Sequence, residues 1–60
     1  MTSRDKFYKV YANLPLGLRE EIVVVIDGQP ISWQVAKMEI DNNTQTGEKI
    51  LSKLEALKII

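Results

Sequence analysis

Sixty residues, with 45 % apolar side chains and eight basic side chains balanced by eight acidic ones, describe one small domain spanning residues 1 to 60, and a chain of this length buries only about 60 % of its unfolded surface. There is no cysteine and no histidine, which removes disulfides and the common structural zinc sites as staples and leaves oligomerisation. Zero net charge provides no general field to draw in nucleic acid or an anionic membrane.

At the start of the chain, Thr2-Ser3-Arg4-Asp5 places a hydroxyl three residues before a carboxylate, and Phe7, Val10, Tyr11 and Leu14 follow at helical spacing. This predicts a first helix over about residues 3 to 13. Pro15 and Gly17 then interrupt the pattern, because proline disfavours the α conformation in the residue before it and glycine is a poor helix former.

Residues 22 to 26 read Ile-Val-Val-Val-Ile, followed by Asp27-Gly28. As a strand, Ile22, Val24 and Ile26 face one side and Val23 and Val25 the other, so both faces are apolar. Asp-Gly after such a run is a strong signal for a two-residue type I′ hairpin. Pro30 weakens the returning strand and places it at an edge, since proline cannot donate to the ladder. The favoured layout is therefore a hairpin with strands at about 20 to 26 and 29 to 32. The rival is a helix over about 16 to 26, with Leu18, Ile22, Val25 and Ile26 on one face and Gly28 near its end. β-branched residues are mediocre helix formers, and Val23 and Val24 would fall outside that face.

Ser32 is placed as an N-cap, and Trp33, Ala36 and Ile40 form one helical stripe beside a second of Val35 and Met38. That predicts a helix packed on more than one side. Asp41-Asn42-Asn43-Thr44 is a polar break rich in capping residues. Beyond it Gly47, Ile50, Leu51, Leu54 and Leu57 mark a last helix of about 45 to 58, with Lys49, Lys53 and Glu55 on its solvated face. The terminal Ile59-Ile60 pair is expected to dock on the core or on a partner. No internal repeat, linker or low-complexity segment is visible.

The longest apolar run, residues 22 to 26, is far short of the roughly 20 that span a bilayer, and no charged-then-apolar leader precedes it, so a soluble cytoplasmic protein is expected. Without histidine or cysteine, the usual nucleophile–base pairs and most transition-metal sites are missing. Glu20 and Glu21 are adjacent, and Glu39 and Asp41 are two apart, so neither pair shares one helical face. Asp41, Asn43 and Gln45 alternate as in a calcium loop, but Thr46 occupies the glycine position and Ser52 the bidentate glutamate position. Asn42-Asn43-Thr44 matches the glycosylation acceptor pattern by chance composition. The expectation is no enzyme: no catalytic residue, no cofactor and no metal.

A strand followed by two helices is also the order of a ribbon–helix–helix DNA-binding protein. Such a ribbon presents polar or basic side chains to the major groove, and residues 22 to 26 offer none. Tyr8, Tyr11 and Trp33 could stack on bases, yet core packing is their commoner fate. A small nucleic-acid-binding transcriptional regulator is thus the alternative rather than the favoured reading.

The segment "LPLGLREEIVVVID", Leu14 to Asp27, resembles the "LP..L..EI" stretch of small prokaryotic antitoxins. It covers about a quarter of the chain. The resemblance implies a small dimeric protein that binds a toxin and sometimes DNA, with that segment usually helical and no catalytic residues.

Together these readings predict an α+β fold with one N-terminal helix, a β-hairpin and two C-terminal helices, the alternative being four short helices. They predict a non-enzymatic protein-interaction module, homodimeric and antitoxin-like. Its interface is expected at Val23, Val24, Ile26, Trp33, Ile59 and Ile60, because the apolar share exceeds what so short a chain can bury.

Overall fold

A computed structural model describes residues 2–60. Helix α1 spans Ser3–Ala12 and is closed at its N-terminus by a reciprocal capping box, in which the Asp5 N–H donates to the Thr2 hydroxyl and the Thr2 N–H to the Asp5 carboxylate. After Pro15 a single 3-10 turn, Leu16–Leu18, leads into strand β1, Ile22–Ile26, which pairs antiparallel with β2, Gln29–Ser32. Helices α2, Trp33–Asp41, and α3, Gln45–Ala56, complete the chain. The α+β layout with a hairpin is the one observed, and the rival helix over 16 to 26 is replaced by strand from Ile22 onward.

The turn has the chemistry its sequence called for. Asp27 and Gly28 both adopt positive φ, 50° and 81°, the type I′ requirement that matches the right-handed twist of the strands. Ser32 and Thr44 cap α2 and α3, their hydroxyls accepting from the N–H groups of Val35 at 3.2 Å and Gly47 at 3.0 Å.

The strand alternation, by contrast, is not the one a simple pleat predicts. Ile22 pairs with Ser32 but Val24 already pairs with Ile31, so Val23 is an extra residue in a β-bulge. The bulge turns Val23 partly to the core side and leaves Ile22 facing outward. Val24 and Ile26 are buried, Val23 is half-buried, and Ile22 and Val25 point outward. Ile22 therefore does not share a face with Val24 and Ile26, and three of the five β-branched residues go to the core.

The core gathers Phe7 and Tyr11 of α1, Val24, Ile26 and Ile31 of the hairpin, Ala36 and Ile40 of α2, and Ile50, Leu51 and Leu54 of α3. Helices α2 and α3 meet backbone to backbone at Gly47, where a Cβ would lie 2.7 Å from the Glu39 carbonyl oxygen. Only glycine fits there. Helix α2 is buried along Ala36 and Ile40 alone. Its second stripe, Val35 and Met38, is exposed, contrary to a helix packed on more than one side.

Helix α3 stops two residues before the expected end. Lys58 takes a left-handed conformation, φ 58°, while the Ile59 N–H donates to the Leu54 carbonyl at 2.9 Å and the Lys58 N–H to Glu55 at 3.0 Å. This is a Schellman closure with lysine at the position glycine usually holds. It folds the end of the chain back so that Ile60 packs on the core.

Candidate functional site

The predicted interface residues divide into three groups. Val24 and Ile26 belong to the chain's own core, and Val23, Trp33 and Ile60 are half-buried against it, the Trp33 ring centre 6.0 Å from that of Phe7. Val24 and Ile26 are thus corrected from interface to core, because α3 packs against their side of β1 and covers them within the chain. Ile59 is exposed, as is Leu57 before it.

What the fold leaves uncovered is the other side of the hairpin. Ile22 and Val25 are 56 % and 48 % exposed, and Val25 stands opposite Pro30 on that face. Leu16 and Leu18, in the 3-10 turn that leads to β1, are also exposed. The sequence signal for this surface lay in the apolar residues on both faces of the run, but the bulge decided which of them face out. A bulge leaves no clear trace in an unbroken β-branched stretch.

The two strand edges differ. The sheet has only two strands, so each has one free side. β2 carries Pro30, which lacks an N–H, whereas β1 has neither proline nor charge from Ile22 to Ile26. Among the described residues, no backbone group of β1 bonds outside the hairpin ladder. An unprotected edge of this kind is a template for another strand.

A polar clamp holds α1 to α2. The Arg4 guanidinium donates to the Ile40 carbonyl and to the Asn43 side chain, each at 2.6 Å, and the Tyr8 hydroxyl donates to the Asp41 carboxylate. Lys37 pairs with Asp41 at 2.7 Å. The hydrogen bond from Lys37, then that from Tyr8, holds the Asp41 carboxyl below its ordinary value; the bond to Asp41 raises the Tyr8 hydroxyl and the Lys37 ammonium above theirs. Each of these shifts follows from the contacts within this salt-linked surface cluster.

Among the described residues no group of three histidine, cysteine, aspartate or glutamate side chains is placed to hold a metal ion, and no helix is long and apolar enough to cross a membrane. Comparison with protein-family models, curated proteins and solved structures gives no match to this chain.

Proposed function

We propose that this chain is a non-enzymatic protein-interaction module that works as a homodimer, with the free edge of β1 and the outward residues Ile22 and Val25 as its contact surface. The observation that carries the reading is the coincidence of an unprotected strand edge with exposed β-branched side chains on the same strand. Antiparallel pairing of β1 with its counterpart across a two-fold axis satisfies both edges at once and extends a marginal two-stranded ribbon to four strands. It also sets Ile22 and Val25 of the two copies side by side on the outer face, where cross-strand apolar pairs contribute roughly 0.2–1 kcal/mol each. The chain's zero net charge means that two copies meet without mutual repulsion.

The antitoxin-like stretch from Leu14 to Asp27 extends the proposal to a regulator that binds a partner protein in the cytoplasm. Light scattering across a dilution series tests the dimer. The wild type should have twice the chain mass at high concentration, and Val25→Lys should be monomeric while keeping its helical and strand content. A wild type that is monomeric and folded throughout contradicts the proposal, and a dimeric Val25→Lys places the contact on another surface.

A further inference from the structure

Arg19 stands apart from the other charged side chains near it. Its backbone is held from two sides, the N–H donating to the Leu16 carbonyl at 3.3 Å and its own carbonyl accepting from the Gln34 N–H at 2.9 Å. Its guanidinium lies 4.7 Å from the centre of the buried Tyr11 ring. Among the described residues it makes no ion pair, and its Nε is buried without a hydrogen-bond partner. Enclosed in this way the Nε is closed to a ligand, so it is the guanidinium's Nη groups that the groove presents to one.

Arg19 lines an open groove between the C-terminal end of α1 and the exposed side of α2, together with Tyr11, Gln34, Val35, Lys37 and Met38. Lys37 and the groove's one carboxylate, Asp41, are engaged with each other. The unpaired charge facing an incoming ligand is therefore the Arg19 guanidinium. The exposed Val35 and Met38 side chains flank it with apolar surface.

We propose that this groove binds a segment of a partner protein through a glutamate or aspartate side chain, with Arg19 as the carboxylate anchor and Val35 and Met38 receiving an apolar neighbour. The planar guanidinium presents parallel donors that match a carboxylate, and its contact with the Tyr11 ring restrains it before the ligand arrives. Arginine held in this way is a common energetic centre of protein interfaces. The apolar flank of Val35 and Met38 and the presence of a single unpaired cation favour a peptide over a nucleic-acid strand, whose successive phosphates need several cations. This surface shares no residue with the hairpin contact, so it stands or falls independently of the homodimer.

The test is an NMR titration of the protein with an acetylated, amidated peptide of alternating leucine and glutamate, beside its leucine–glutamine counterpart. The glutamate peptide should shift the Arg19 Nε–H resonance and the methyl groups of Val35 and Met38 to saturation, and the glutamine peptide should bind about tenfold more weakly. Arg19→Lys, which keeps the charge without the planar fork, should lose most of that preference, and Arg19→Gln all of it. The wild-type Nε–H shift needs no variant to fold. Absence of a saturable shift, equal binding of the two peptides, or tighter binding of a single-stranded oligonucleotide at the same resonances overturns the proposal.

Discussion

Helix α3 and strand β1 are both rich in large aliphatic side chains, yet the fold treats them differently. In α3, Ile50, Leu51 and Leu54 are all buried, because a 3.6-residue period collects apolar positions into one stripe that a single neighbouring layer covers. In β1 the backbone sends neighbours to opposite faces. This chain has one layer of helices to offer, so Ile22 and Val25 remain exposed even after the bulge has drawn Val23 inward. A helix can cover its apolar stripe within sixty residues; a strand with two apolar faces leaves one of them open.

That contrast predicts where substitutions will act on folding and where on association. Leu54 is fully buried, and Leu54→Ala should cost roughly 2–5 kcal/mol, a large part of the stability of a domain this small. A loss below about 1 kcal/mol in urea denaturation would remove Leu54 from the core and dissolve the distinction. Gly47→Ala should cost about 1–3 kcal/mol by overpacking, since its methyl group meets the rigid Glu39 backbone rather than a side chain that can move. A neutral Gly47→Ala would show that α2 and α3 are farther apart than described.

At the hairpin turn the penalty is conformational. Nothing lies within 4 Å of a Cβ at Gly28, whose φ is 81°, so Gly28→Val should cost about 1–2 kcal/mol through left-handed strain alone. At Lys58, also left-handed, Lys58→Gly should stabilise by about 0.5–1 kcal/mol, measured by the same denaturation.

The smallest effect concerns pH. Asp41 has a depressed pKa in the fold, so its contribution is present above the ordinary carboxylate value of 3.8 and is lost as pH falls through the lower folded value. The stability difference between wild type and Asp41→Asn should shrink to nothing across that acid window. Tyr8 shifts the other way, and its contribution is lost as pH rises above its ordinary range, a loss that Tyr8→Phe should not show.

Much of the fold was legible because its signals are local. Thr2 with Asp5, Ser32 and Thr44 mark three helix starts through side-chain caps, and Asp27-Gly28 marks the turn through its demand for positive φ. What was not legible depends on register and neighbours. Neither the bulge at Val23 nor the left-handed Lys58 has a distinctive residue to announce it, and the first took Ile22 off the face of Val24 and Ile26 and drew Val23 toward the core. Arg19 gave no sequence signal at all, because its stack on Tyr11 joins residues from separate elements.

We propose that the outer surface and free edge of β1 receive a second copy of the chain. An isotope-filtered NMR experiment on a mixture of labelled and unlabelled protein reads it directly. Pairing through β1 should give intermolecular contacts between the β1 backbones and among the Ile22 and Val25 methyl groups of the two copies. Intermolecular contacts confined to other elements, or none from a folded monomer at high concentration, would contradict it.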